Sequence, residues 1–286
     1  MPIHFVHAID DPRLWPYRNL KDKELTRDGG RFIAEGENVV RRLLASRVPV
    51  ESVLIAERKR RAIEPLLPAA ARIFVGDDTL LEGVIGFQFH SGVLACGIRP
   101  PSPSLADVLP PPQRPALLAV CQEISNTENM GSLIRVSAAF GADALILGER
   151  CCDPFFRQSI RVSMGAVFSL PMVRSNDLLA DLDALSRSGV QRLAAVLSQD
   201  AEPLKSVRPQ PRMAVVFGNE AQGLERATIE RCDRCVTIPM RWGTDSLNVA
   251  AAAAVFLFHL ADREGSASRR EGSASRGGAN DSGAAS

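Results

Sequence analysis

The sequence predicts an α/β protein of two domains, the second of which is built on a parallel sheet. Between residues 116 and 262, short apolar runs alternate with helical patterns, as they do where a crossover helix follows each parallel strand. Proline clusters at 100–103 and 110–115 separate this part from a smaller α/β unit. Because proline fixes φ and lacks an N–H group, the segment 100–115 is expected to be a stiff linker without helix or central strand.

The first unit, residues 1–99, combines an N-terminal extension with a short series of strands and a helix. Phe32 and Ile33 are expected to begin a strand, residues 37–46 to form a helix, and residues 50–55 and 93–98 to form two more strands. By itself this pattern is that of a generic α/β sandwich.

In the second unit, residues 116–262, apolar runs predict six strands, at 117–121, 144–147, 167–171, 192–197, 214–217 and 235–238. One helix should end at Gly141, and an alanine-rich helix should run to Leu260. No G-x-G-x-x-G follows the first strand, which argues against an ordinary dinucleotide site or a Rossmann-type methyltransferase. Residues 263–286 are rich in Gly, Ser and Arg and are expected to be a disordered tail.

Length and composition agree with what is expected of a cytoplasmic protein of two domains. With 286 residues, 45% of them hydrophobic, the chain can fill two cores, yet no apolar run approaches the ~20 residues of a membrane span. The N-terminal segment, with Asp10 and Asp11 and no apolar stretch, is not expected to be a secretory signal, and six cysteines without a small-scaffold framework indicate a reducing compartment. Cys232 and Cys235 have no second pair to complete a zinc site, so no metal is expected.

Positive charge is concentrated near the N-terminus, although the formal net charge is only +1. Up to Arg61, thirteen Lys and Arg stand against nine Asp and Glu, and Arg58 to Arg61 are consecutive cations. Such a cluster is either a solvated surface or an RNA contact. Because aromatic residues make up only 5% of the chain, recognition of RNA shape and phosphates is favoured over base stacking.

Three polar junctions follow apolar runs of the second unit, at 129–135, 218–224 and 246–250. Ser246 is expected to cap the last helix, with Asn248 in its first turn. If Asn129 lies just outside its helix, the intervening helical turn could place Asn129 and Arg135 near one and the same site opening. Each junction alone suits an ordinary strand-to-helix turn, but together they indicate a ligand crevice at the carboxyl ends of parallel strands.

These junctions read N-x-G-x-x-x-R, G-N-E-x-x-G-L and I-P-M…S-L-N-V-A, in that order. Together they resemble the SpoU (TrmH-type) RNA 2′-O-ribose methyltransferases of the SPOUT superfamily, over residues 31–261. The resemblance implies a parallel sheet with helices on both faces and a trefoil knot, preceded by an L30e-like RNA-binding domain. It also implies S-adenosylmethionine as cofactor and a homodimer in which dimerisation completes the site.

The resemblance assigns roles to individual residues. Arg135 would act on the ribose 2′-hydroxyl; because a guanidinium is effectively always protonated, stabilisation of a developing oxyanion is preferred to a role as base. Asn129 would orient Arg135 or the ribose, Ser246 and Asn248 would add hydrogen bonds, and Glu220 would anchor its loop or bind a partner's backbone. The cofactor positions are Gly218, Asn219, Ile238, Met240 and Leu247, and the RNA-binding candidates are Arg58, Lys59, Arg157 and Arg161.

The extra N-terminal domain resembles the ribosomal-RNA branch of the family, so ribosomal RNA is the preferred substrate. Transfer RNA is the alternative substrate, and a non-catalytic RNA-binding protein that retains the fold is the alternative function. Intact Asn129, Arg135, Glu220 and Asn248 argue against the non-catalytic alternative.

Overall fold

The computed structural model describes residues 3–18, 30–68, 71–86, 88–241 and 246–261. These residues form two sheets, one in each predicted unit. The predicted disordered tail, residues 263–286, lies outside the described residues. In the part of the chain that is described, no helix has the length and apolar character needed to cross a bilayer.

The N-terminal sheet is mixed and has five strands. They are β1 (Ile3–Phe5), β2 (Arg31–Glu35), β3 (Val50–Ala56), β4 (Arg72–Gly76) and β5 (Val93–Ile98), in the spatial order β1-β4-β3-β5-β2. The strands β1, β4 and β3 run parallel, and β5 is antiparallel to both of its neighbours. The helices are α1 (Glu37–Leu44), α2 (Arg60–Ile63) and α3 (Asp78–Ile85). The predicted strands and helix lie where expected, whereas β1, β4, α2 and α3 were not predicted.

The C-terminal sheet has seven strands, and all of their pairings are parallel. They are β6 (Ala116–Cys121), β7 (Ala144–Leu147), β8 (Met172–Arg174), β9 (Gln191–Ala195), β10 (Glu202–Pro203), β11 (Arg212–Phe217) and β12 (Arg234–Thr237). Their spatial order is β10-β12-β9-β11-β6-β7-β8. The helices after the N-terminal sheet are α4 (Leu105–Val108), α5 (Thr127–Ala139), α6 (Arg157–Val162), α7 (Leu178–Arg187), α8 (Arg226–Glu230) and α9 (Val249–Ala261).

Helices cover both faces of this sheet, as predicted. Along β6 the side chains alternate: Leu117 and Cys121 belong to the apolar cluster that contains α5 and α9, whereas Leu118 and Val120 pack with α7. Because β6 is buried on both faces, its sequence is one continuous run of apolar residues.

Two sequence expectations about local structure are wrong. Residues 167–171 are not a strand: a 3-10 turn spans Ala166–Phe168, and β8 begins only at Met172. This apolar run is buried because it packs in the core shared with the N-terminal unit. The proline-rich linker does carry one helical turn, α4, because Ser104 and Asp107 form a reciprocal capping box at its start.

The two units share one apolar core. Phe32 of β2 lies 5.1 Å from the ring of Phe155 and 5.6 Å from the ring of Phe168, measured between centroids. Beside these rings, Arg99 makes two hydrogen bonds to Asp153, at 2.6 and 2.7 Å. Removing residues 1–99 would therefore expose aromatic rings of the C-terminal unit, so experiments on function should use the full chain.

Candidate active site

A cavity of about 550 Å³ lies at the carboxyl ends of β9, β11 and β12. Because parallel strands end at the same edge of a sheet, residues far apart in sequence meet there. Its lining includes nine of the ten predicted catalytic and cofactor-binding residues: Asn129, Gly218, Asn219, Glu220, Ile238, Met240, Ser246, Leu247 and Asn248. The structure thus brings the three polar junctions together.

Three polar side chains at this cavity form a continuous hydrogen-bonded chain. Asn248 donates through Nδ2 to Oδ1 of Asn129 at 2.8 Å, and Asn129 donates through Nδ2 to Oε1 of Glu220 at 2.7 Å. The central amide therefore has one defined orientation, with its oxygen toward Asn248 and its nitrogen toward Glu220. This chain links α5, the loop after β11 and the start of α9.

Asn129 lies inside helix α5, not just before it. The side chain of Asn126 caps the helix, accepting hydrogen bonds from the N–H groups of Glu128 at 2.7 Å and Asn129 at 3.1 Å. Two residues further on, a Cβ at Gly131 would lie 2.6 Å from the carbonyl oxygen of Ser159. The glycine of this motif therefore allows α6 to pack directly against α5.

Asn248, rather than Ser246, caps helix α9. Its Oδ1 accepts hydrogen bonds from the N–H groups of Ala250 at 2.9 Å and Ala251 at 3.4 Å. The expectation that Ser246 caps the helix is wrong, because the helix begins only at Val249. Ser246 lies two residues before the cap, where it lines the cavity.

The loop after β11 is held in a tight turn by its own residues. Asn219 and Gly223 exchange two backbone hydrogen bonds, at 2.9 and 2.8 Å, while Oδ1 of Asn219 accepts from the N–H groups of Ala221 and Gln222. A Cβ at Gly218 would lie 2.2 Å from the backbone carbon of Gly223. Only glycine at position 218 therefore lets the loop fold back on the end of its strand.

Apolar side chains form the remaining walls of the cavity. Ile238, Met240 and Leu247 lie where the sequence placed them, and Phe217 contacts Phe256 edge to face with ring centroids 5.9 Å apart. The sequence analysis did not predict Val196, Leu197, Phe217 and Phe256 as lining residues. The first two follow β9 directly, so the strand-end rule that found the other loops would also have found them.

Arg135 does not line this cavity within its own chain. It lies six residues beyond Asn129 on α5, which is about 9 Å along the axis and about 240° around the helix. The sequence analysis expected Asn129 and Arg135 to lie near one site opening only if Asn129 lay outside the helix. Asn129 lies inside it, so this condition is not met. Arg135 is exposed instead on a groove that also contains Arg42 and Arg47 of the N-terminal unit.

Comparison with known proteins agrees with this arrangement of motifs. Residues 116–258 match the SpoU rRNA Methylase family. The chain belongs to this family. An uncharacterized tRNA/rRNA methyltransferase of Mycobacterium tuberculosis (strain ATCC 25618 / H37Rv) is 35% identical over 258 residues, covering 87% of this chain and 88% of that protein. The 23S rRNA (guanosine(2553)-2′-O)-methyltransferase RlmP of Bacillus subtilis is 27% identical, covering 89% of this chain and 98% of that protein.

Solved structures of RNA methyltransferases share the fold. An AdoMet-bound rRNA methyltransferase from Sinorhizobium meliloti matches with a TM-score of 0.77 and 22% identity, over 90% of this chain and 97% of that one. An RNA 2′-O ribose methyltransferase matches with a TM-score of 0.74 and 25% identity, over 90% of this chain and 98% of that one. Each match covers 90% of this chain, which is more than the C-terminal unit alone.

Most of the predicted RNA-binding cations of this SpoU protein are close to carboxylates. Arg58 pairs with Asp78 at 2.9 Å, and Lys59 pairs with Glu37 at 2.9 Å. Arg157 lies 3.5 Å from Glu35, and Arg161 is exposed at the rim of a cavity that also contains these two glutamates. These four predicted RNA-binding residues therefore present much less net positive charge than the sequence alone suggests.

The cysteine pair near the last strand is poorly suited to metal binding. Burial raises the pKa of the Cys232 thiol to about 12, which disfavours the thiolate that a metal requires, and Cys235 is exposed. Among the described residues, no group of three or more His, Cys, Asp and Glu side chains is placed to hold a metal ion.

Proposed function

We propose that this chain transfers the methyl group of S-adenosylmethionine to a ribose 2′-oxygen of ribosomal RNA. The observation that carries the proposal is the cavity where Asn248, Asn129 and Glu220 form a hydrogen-bonded chain beside apolar walls. Two relatives, RlmP of Bacillus subtilis and RlmB of Ralstonia nicotianae, are named as 23S rRNA guanosine 2′-O-methyltransferases, which supports both the reaction and the substrate.

The lining residues fit the proposed cofactor. A cavity of about 550 Å³ is in the range of small-molecule sites, and its apolar side chains suit an adenine ring whose edge is read by backbone groups. Among the described lining residues, Glu220 is the only charged one, which suits a cofactor whose reacting centre is a cation. When bound, S-adenosylmethionine supplies an electrophilic methyl group. Gly218, Ile238, Met240 and Leu247 would hold it.

The residues of the chain would orient the ribose and stabilise charge on its 2′-oxygen. Ser246 is exposed at the cavity and offers a hydroxyl, while Asn248 and Asn129 are fixed by each other and by Glu220. Glu220 thereby anchors the loop after β11 to α5. Because the 2′-hydroxyl is a poor nucleophile until its proton leaves, a cation close to the oxygen favours its alkoxide character.

That cation must come from outside the cavity of a single chain, since no Arg or Lys is among its described lining residues. The helices α5 and α9 start together at the Asn129–Asn248 bond and meet again at the rings of Phe140 and Phe258. On α9, Val255 is 43% exposed and Phe258 is 69% exposed. The proposal therefore includes a homodimer in which a second copy covers this apolar face and contributes its Arg135 to the site. The trefoil knot implied by the resemblance stays a prediction.

Cofactor binding tests the first part of the proposal. Isothermal calorimetry on the full chain should give one S-adenosylmethionine site per chain. Leu247→Asp should weaken binding about tenfold or more, because it replaces an apolar wall with a second carboxylate. Leu66→Asp is the matched control, since Leu66 is similarly exposed, at 42% against 38% for Leu247, but lies in the N-terminal unit. A folded wild-type chain that gives no heat of binding would contradict the cofactor assignment.

Complementation between two impaired variants tests the shared site, at an S-adenosylmethionine concentration too low to fill the Leu247→Asp cavity. Co-expressed Arg135→Ala and Leu247→Asp chains should recover about a quarter of wild-type methylation. Random pairing makes half of the dimers mixed, and each mixed two-fold dimer has one intact site. Adding Phe258→Glu to both chains should abolish this recovery by placing charges in the interface. Absence of recovery in verified mixed dimers would show that Arg135 does not act on the partner's cavity.

A further inference from the structure

A second cavity, of about 720 Å³, lies between α1 of the N-terminal unit and α5 of the C-terminal unit. Its charged lining residues are Arg42, Arg47 and Arg135, and no Asp or Glu is among the described residues that line it. Ser46 and Ser169 add hydroxyl groups to the same walls. We call this cavity the three-arginine groove.

Two of the groove arginines, Arg42 and Arg47, belong to the N-terminal unit, where several other basic residues are paired with carboxylates. Arg41, the neighbour of Arg42 on α1, is paired with Glu37 at 2.9 Å. In the described part of the chain, no carboxylate lies within ion-pair distance of the three groove arginines, and all three are exposed. Three like charges around one groove repel each other unless an anion lies between them.

The opposite wall of the groove is shaped around Arg42. Nη1 of Arg42 donates to the carbonyl oxygen of Met164 at 2.5 Å. Met164 has a φ of 53° and Gly165 a φ of 82°, so this turn adopts the left-handed conformation twice in succession. A Cβ at Gly165 would lie 3.1 Å from Cβ of Arg42, which shows how closely the turn approaches the arginine stem. Arg42 is therefore held in place by one nitrogen, and its remaining guanidinium nitrogens are left for a ligand.

We propose that the three-arginine groove binds the phosphodiester backbone of the RNA substrate, with Arg42 and Arg47 as phosphate ligands that neither the motifs nor the charge cluster had indicated. The inference rests on the proposed function. Guanidinium groups bind phosphate oxygens through two parallel hydrogen bonds, and A-form RNA is recognised largely through its phosphates and shape. Because the groove spans both units and includes Arg135, RNA held there places its backbone beside the residue proposed to act on the ribose.

The salt dependence of RNA binding measures these contacts directly. The probe is a synthetic RNA hairpin titrated onto the full-length protein at several salt concentrations. Arg42→Gln and Arg47→Gln should each reduce the slope of log K against log salt by about 1, the change expected for one lost phosphate contact. The matched control is Arg187→Gln, which removes the same charge from an exposed residue of α7, on the opposite face of the sheet.

Each alternative outcome has a definite meaning. Wild-type slopes for both groove variants, or a slope reduced equally by Arg187→Gln, would overturn the proposal. Loss of inorganic phosphate binding in both variants, with the wild-type salt slope for the hairpin retained, would assign the groove to a small anion and would also overturn it. Because Arg42 and Arg47 do not line the cofactor cavity, S-adenosylmethionine binding should be unchanged in both variants. Failure of the proposed function would appear instead as a wild-type protein that does not bind the cofactor.

Discussion

Replacing Arg135 with alanine is expected to slow methyl transfer by about 10²–10³ while leaving S-adenosylmethionine affinity unchanged. The affinity should not change because Arg135 lies outside the cofactor cavity of its own chain. The rate should fall because the variant loses the cation proposed to stabilise charge on the 2′-oxygen. Single-turnover transfer of labelled methyl to ribosomal RNA from cells lacking the gene measures the chemical step, and calorimetry measures the affinity.

Arg135→Lys separates charge from geometry in the same experiment. Lysine keeps the positive charge but loses the planar fork that can hold a ribose oxygen and a phosphate together, so this variant should also be slow. A lysine variant with a near-normal single-turnover rate would mean that charge alone suffices. An alanine variant with the full rate would remove Arg135 from the mechanism, and Arg187→Gln again controls for loss of a surface charge.

The groove variants and the Arg135 variants should affect different kinetic constants. Arg42→Gln and Arg47→Gln remove contacts to RNA that are present before and during the reaction, so they should raise KM for RNA with little change in kcat. Arg135→Ala removes an interaction that strengthens as charge develops, so kcat itself should fall at saturating RNA. This difference distinguishes positioning of the backbone from stabilisation of the reacting oxygen.

The central strands could be predicted because each is a short apolar run bounded by polar or glycine residues. The bounds of β5 and β7 agree with the predictions at both ends. Prediction failed at residues 167–171, an apolar run whose burial comes from packing near Phe32, more than a hundred residues earlier in the chain. Hydrophobicity reports that a segment is buried, but it does not report which partner buries it.

The sequence identified the polar residues that meet at the cavity, but it did not predict the hydrogen bonds between them. Strand-end position and motif type identified Asn129, Glu220 and Asn248, yet the hydrogen bonds between them depend on how three distant segments meet. Local alternatives also compete: both Ser246 and Asn248 are good capping residues, and the helix start decides between them. The sequence analysis missed Arg42 and Arg47. The sequence does not show which arginines are paired with carboxylates, and only the structure shows that neighbours such as Arg41 are paired.

Gly218→Ala is expected to weaken S-adenosylmethionine binding by at least about tenfold in a protein that remains folded. Its Cβ would lie 2.2 Å from the backbone carbon and 2.3 Å from the carbonyl oxygen of Gly223, and backbone atoms cannot rotate away as a flexible side chain can. The loop must therefore open, which displaces Glu220 from Asn129 and alters the cavity wall. Overpacking typically costs about 1–3 kcal/mol, so affinity should fall by about tenfold to a hundredfold or more.

Gly189→Ala is the control for this substitution. Gly189 has a φ of 70° and no atom within 4 Å of its added Cβ, so alanine there introduces backbone strain without a clash, far from the cavity. It should lower thermal stability by about 1 kcal/mol and leave cofactor affinity unchanged. Calorimetry and thermal unfolding on both variants separate the two effects. If Gly218→Ala bound the cofactor with wild-type affinity, the tight turn after β11 would not be needed to shape the site, and the cavity could not be the cofactor site in this conformation.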